Sequence, residues 1–285
     1  MVRVMQLRFF SSAVLILLVL TACSDQAGPV VEPQAAANQL GPDPAMPTDP
    51  DQDFKLTSFK WDGPMQAGER LRVRNPYGDI RCRKSGTQEL VVSAQIQTFT
   101  DWQPAPEVEV VETNGNFEIR ISHPHPARAQ FGGDYDKGFA GRIDLAVLLP
   151  AGTAADFATT DGVIRVKGFN GDLVASTGSG EMYYKASGSF DLGTESGAVE
   201  ATISDFAPDR RGEIHTTTGS VSLWLAANGA ATVEADSAGT IEFRAGDDVR
   251  AEEKRADQSL QVLLGGGGRH LKINSESGIV TILAD

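Results

Sequence analysis

The sequence predicts an all-β protein: a β-solenoid-like stack of short strands, preceded by a less regular β-rich part. Three observations carry this. One phrase recurs between Thr160 and Phe243: a small or polar residue, Gly, any residue, an apolar residue, any residue, an apolar residue (TDGVIRV, NGDLVAS, SGEMYY, SGSFDLG, SGAVEAT). Its glycines, Gly162, Gly171, Gly180, Gly188, Gly197, Gly212, Gly219, Gly229 and Gly239, are spaced 9, 9, 8, 9, 15, 7, 10 and 10 residues apart. The residues two and four places after most of them are apolar, which is the period-two signal of a strand with one buried face.

A nine-residue unit is too short for a crossover through a helix. Regular repetition at a short period marks stacked coils, so two phrases make one coil of about 18 residues, each resting on the last. Glycine is expected to supply the positive φ of tight turns. The adjoining Ser, Thr, Asn and Asp are expected to bond their own backbone there. The 15-residue step fits an inserted loop, Asp205 to Arg211.

Taken in order, residues 1–22 read as a processing signal, with Arg3 and Arg8 before the apolar run Phe9 to Leu20. That run is too short to span a bilayer as a helix. Leu20-Thr21-Ala22-Cys23 resembles the lipobox of bacterial lipoproteins, which implies cleavage before Cys23 and its acylation. Several acyl chains together form a durable anchor. Ser24, rather than Asp, follows, and by the same resemblance this favours the outer membrane.

Residues 23–53 read as lipidated Cys plus a disordered tether. Residues 24–53 hold six prolines and six acidic residues with no Lys or Arg, too little apolar surface to offset ordering entropy.

Residues 54–150 form the β-rich N-terminal part. Asn75-Pro76-Tyr77-Gly78 is a turn between alternating arms. Val108 to Ile121, centred on Asn114-Gly115, is a hairpin with a type I′ turn. Phe131 to Gly138 reads as a loop. Residues 151–285 form the repeat part. Within it Ala245 to Asp257 reads as a loop or short helix, after which strands resume.

At the phrases Ser196-Gly197-Ala198-Val199, Thr218-Gly219-Ser220-Val221 and Ser277-Gly278-Ile279-Val280 the chain resembles the bacterial putative-adhesin domains of unknown function. These carry repeated Ser-Gly-x-Ile/Val phrases on a β-solenoid. Val73 to Ile80 resembles the family's opening. The resemblance covers residues 54–285 and implies no catalytic residues.

The formal net charge is −13, and becomes −15 without Arg3 and Arg8 (23 basic against 38 acidic groups). This argues against nucleic acid as a partner, which needs basic patches. With Cys23 acylated, Cys82 has no partner for a disulfide and reads as a small buried hydrophobe.

If the register holds, one outer face shows Arg165, Glu181, Tyr183, Glu200, Ser222, Trp224 and Glu242. The other shows Asp172, Asp191, Glu213, His215, Thr232 and Glu234. Exposed aromatics are common anchors for sugars and proteins, so Arg165, Tyr183, Glu200 and Trp224 are the ligand-binding candidates.

No metal and no cofactor is expected. The acidic ladder lacks a calcium-loop pattern, His123 and His125 fall short of a zinc site, and Gly265 to Gly268 lacks the Lys-Ser/Thr of a phosphate loop. Asp161, Asp172 and Asp191 follow the structural repeat, and no catalytic set emerges. The expectation is therefore a lipid-anchored cell-envelope binding, adhesion or scaffold protein, not an enzyme. It would be held to the membrane by lipid, with an envelope polysaccharide or protein as partner. The alternative is a polysaccharide-degrading lyase or glycosidase on the same scaffold.

Overall fold

The structure, a computed structural model, describes residues 54–99, 105–122 and 142–285. These lie in one compact unit, Met46–Asp285. The processing signal, Cys23, the whole tether, His123, His125 and the stretch Phe131 to Gly138 fall outside the described residues.

Every regular element among the described residues is a strand, and the strands form two large mixed sheets with open edges. Numbered along the chain, sheet 1 has the order β1 (Phe54–Pro64), β4 (Glu89–Phe99), β7 (Arg142–Leu149), β3 (Ile80–Lys84), β9 (Ile164–Lys167), β11 (Met182–Lys185), β13 (Val199–Ile203), β15 (Val221–Leu225), β21 (Val280–Ala284), β17 (Ile241–Ala245). Sheet 2 has the order β18 (Ala251–Ala256), β19 (Ser259–Leu264), β16 (Ala231–Ser237), β20 (Arg269–Ser275), β14 (Arg211–Thr216), β12 (Phe190–Thr194), β10 (Leu173–Thr177), β8 (Ala154–Asp161), β2 (Arg70–Tyr77), β6 (Asn116–Ser122), β5 (Glu107–Thr113).

From β8 to β15 the chain alternates between sheets, and each strand pairs in parallel with the strand two places on. Ala155 faces Leu173, Leu173 faces Phe190, and Phe190 faces Gly212. These are offsets of 18, 17 and 22 residues, so the stretch around Asp205 to Arg211 is the excess. Ile80, Ile164, Met182, Val199, Val221, Val280 and Ile241 form one in-register column in sheet 1, none more than 9% exposed. Hydrophobic burial along such columns holds the two sheets face to face.

Four expectations need correction. First, successive strand pairs do not simply stack in chain order. β20 and β21 insert between β14/β15 and β16/β17, and β2/β3 insert between β6/β7 and β8/β9. The antiparallel hairpin β18–β19 folds back on β16, and the returning chain fills a slot whose backbone groups would otherwise lack partners.

Second, none of the repeat glycines has positive φ; Gly78 and the turn glycines do. The repeat glycines serve close approach instead. A Cβ on Gly180 would overlap the Gly162 carbonyl, and one on Gly197 would overlap that of Gly180.

Third, Gly212 is not a corner. It faces Phe190 inside the core, where a Cβ would strike that ring. Fourth, Ala245 to Asp257 contains β18, an edge strand with Glu252, Glu253, Lys254 and Arg255 exposed. Charge on an edge strand discourages further pairing. The Asn114-Gly115 turn is as expected, with φ of 52° and 76° between β5 and β6.

Candidate functional site

The outer face of sheet 1 gathers the candidates. In β9, β11 and β13 the residues alternate in and out, so Arg165, Tyr183 and Glu200 fall on adjacent strands in one row. Arg81 on β3 extends this row. The Arg165 guanidinium lies 4.9 Å from the centre of the Tyr183 ring, a cation–π contact. The Tyr183 hydroxyl donates to Glu181 at 2.6 Å. That hydrogen bond, with some burial, raises the phenol above its ordinary pKa.

Asp79 sets the geometry from beneath. It is 5% exposed and accepts from Arg142 at 3.1 Å, Arg165 at 3.3 Å and Arg81 at 3.4 Å. It also accepts from the Val163 amide at 3.1 Å. A buried carboxylate needs such donors, and several strands are tied together at this point.

Trp224 is not in that row. It stands two positions further along, opposite Thr202, and is 45% exposed. Its row holds Leu148, Arg83, Lys167, Lys185, Thr202, Trp224 and Leu283 on neighbouring strands. Arg83, Lys167 and Lys185 are exposed, adjacent and make no ion pair with a described residue. A depression of about 370 Å³ lies over Arg81, Arg83, Arg165, Lys167, Tyr183 and Lys185.

Sequence reasoning named Trp224 but missed these cations. The signal was present: Arg83, Lys167, Lys185, Thr202 and Trp224 each lie five residues after Gly78, Gly162, Gly180, Gly197 and Gly219.

No protein-family model matches the chain, and no curated protein matches it. Among solved structures it is similar to a "putative cell adhesion protein" from Clostridium sporogenes, with 13% identity, TM-score 0.46, and coverage of 81% of this chain and 100% of that one. It is also similar to a "putative adhesin" from Parabacteroides distasonis, at 14% identity, TM-score 0.24, and coverage of 81% and 98%. A "putative lipid binding protein" from the same species is similar at 10% identity, TM-score 0.29, and coverage of 79% and 96%.

Sheet 2 carries the larger groove, about 1000 Å³ along the ends of its parallel strands. Ser176, Gly193, His215 and Asn274 line it on successive strands, with Glu195 and Glu276 at the rim. His215 contacts Glu213 at 3.3 Å and Asn274 at 3.2 Å.

Asp161 stands apart from the other acidic residues weighed for catalysis, Asp172 and Asp191. Asp161 lies opposite Ser179 and Asp191 opposite Val174. Five residues of strand, roughly 16 Å, separate those rows, beyond the spacing of a glycosidase pair. Asp172 meets Arg210 at 3.4 Å. Among the described residues no three His, Cys, Asp or Glu side chains gather as a metal site. Cys82 is 1% exposed, faces Val166, and burial pushes its thiol pKa up strongly, so it is not a thiolate nucleophile.

Proposed function

We propose that this chain is a lipid-anchored cell-envelope protein whose β-solenoid-like body presents a non-catalytic binding or adhesion face, the outer face of sheet 1. In this reading Cys23 carries the lipid and residues 24–53 space the body, residues 54–285, from the outer membrane. The observation that carries the reading is the arrangement around Tyr183. Asp79 holds Arg165 against one side of the ring, and Glu200 flanks it on the next strand. The arrangement lies on an open sheet face rather than in a closed cavity, which suits an extended partner.

The test is photo-crosslinking in the native cells, with the reactive residue placed at position 183 of the full chain. The expected result is a discrete adduct that disappears with Trp224→Ala. Adducts only from a control position on sheet 2, such as Thr232, would overturn the assignment of the face. Replacing Cys23 by Ser is expected to release the protein from the membrane fraction.

A further inference from the structure

We propose that the sheet 1 face binds an acidic polysaccharide, with its carboxylates on Arg83, Lys167 and Lys185 and its sugar rings against Tyr183 and Trp224. This rests on the reading of that face as a binding surface and names the class of ligand.

The argument starts from a local cost. Arg83 faces Lys167, and Lys167 faces Lys185, on strands about 4.8 Å apart. Like charges directly opposite one another on a sheet destabilise it. The chain has acidic groups in excess, yet none forms an ion pair with these three among the described residues. Arg81 and Arg165 in the next row do have a partner, Asp79. A repeated anion laid across the strands would neutralise the three free charges together.

The neighbouring groups select among anions. Glu200 lies one row and Glu181 two rows from the cations on the same face, and a carboxylate only accepts hydrogen bonds. Sugar hydroxyls can satisfy them, whereas a polyphosphate at neutral pH offers them no donor. Tyr183 and Trp224 add apolar ring faces at the two rows. An anionic bilayer would meet the whole face at once, where Asp62, Glu181, Glu200 and Glu242 offset the cations and leave little net attraction within about one Debye length. A narrow polymer along the Arg83 row avoids most of these. Three free cations are also few for nucleic acid, whose affinity comes from neutralising many phosphates.

The test is retention of the purified full chain on immobilised polygalacturonate, with dextran, an oligothymidylate and phosphatidylglycerol vesicles as comparisons. The expected result is retention on polygalacturonate alone, released by salt. Lys167→Gln with Lys185→Gln is expected to weaken it at least tenfold while melting remains cooperative. Retention unaffected by that pair would overturn the inference, as would stronger binding to the oligonucleotide or vesicles. Equal retention on dextran, lost with Tyr183→Ala, would overturn the acidic ligand but keep the face. No binding to any of the four overturns the inference, and the crosslinking experiment then decides the face separately.

Discussion

The Thr216 hydroxyl oxygen accepts a hydrogen bond from the amide of Gly219 at 2.8 Å, and both residues belong to stacks that cross the protein. Asn75, Thr159, Thr177, Thr194, Thr216, Ser275 and Ser237 form one buried, in-register polar column in sheet 2. Thr177, Thr194, Ser275 and Ser237 accept in the same way from Gly180, Gly197, Gly278 and Gly239. The column turns the chain from one sheet to the other without leaving amides bare.

Replacing Thr216 by Val keeps the shape and removes the acceptor. The buried Gly219 amide then lacks its partner, and the expected loss is about 1–3 kcal/mol. Gly219→Ala is expected to cost more, because its Cβ would overlap the Gly197 carbonyl and the two chain segments would have to separate. Urea unfolding of both variants checks the order; Gly219→Ala at or above wild-type stability would contradict the close-approach account.

Much of this was legible in the sequence, and for a definite reason. Burial alternates with period two, so the residues two places after the repeat glycines read as one buried face, and the structure stacks Ile164, Val199, Val221 and Ile241 among them in one column. Sequence does not encode which strand lies beside which when the spacing changes. β20 and β21 carry the same phrase as their neighbours but return after a 39-residue excursion from Gly239 to Gly278. Glycine was read for positive φ because that is its commoner use in turns, whereas here the missing Cβ matters. For the site, Arg165, Tyr183 and Glu200 were found together. The Arg83–Lys167–Lys185 row was not: its residues lie two places further along the strands, and Arg83 joins it only because β3 lies beside β9, with 79 residues of chain between those strands.

Asp156 gives the stability an acid limb. Arg74 grips its carboxylate through two hydrogen bonds, at 2.9 and 2.7 Å, with Arg72 at 3.4 Å. Burial pushes the carboxyl pKa up, but the Arg74 hydrogen bonds and the charges of Arg74, Arg72 and Arg70 outweigh it and hold it below the usual carboxylate value. The folded state therefore favours the ionised form. That contribution is complete above the unfolded pKa of about 3.9 and is lost as pH falls through the lower folded value. Melting temperatures of wild type and Asp156→Asn should differ most near neutrality and converge in strong acid; a gap that widens on acidification would reverse the assignment.

Arg269 fastens the inserted loop. It is fully buried and donates to the carbonyls of Gly188 at 2.6 Å and Asp205 at 2.8 Å, with its guanidinium 5.4 Å from the Phe190 ring. Burial pulls its pKa below the ordinary arginine value. Arg269→Ala leaves the Asp205 carbonyl unpaired and the Gly188 carbonyl with only the Tyr184 hydroxyl, beside a cavity, and is expected to cost about 3 kcal/mol or more. Arg269→Lys should recover only part, since a point charge cannot span both acceptors. Denaturant midpoints decide, and full recovery by Lys would show that charge alone matters.

The free cation row makes a prediction opposite in sign. Lys167 sits between Arg83 and Lys185 with like charge on both sides. Replacing it by Gln removes two repulsions and breaks no ion pair with a described residue. The isolated protein should therefore gain stability, by about 0.2–1 kcal/mol at low salt. The gain should shrink as salt screens the repulsion, since the side chains are exposed. Lys185→Gln removes one repulsion and should gain less. Thermal melts at two ionic strengths measure this without any ligand. A destabilised Lys167→Gln would mean that the ammonium groups have partners within the fold, and the argument for an external anion would lose its basis.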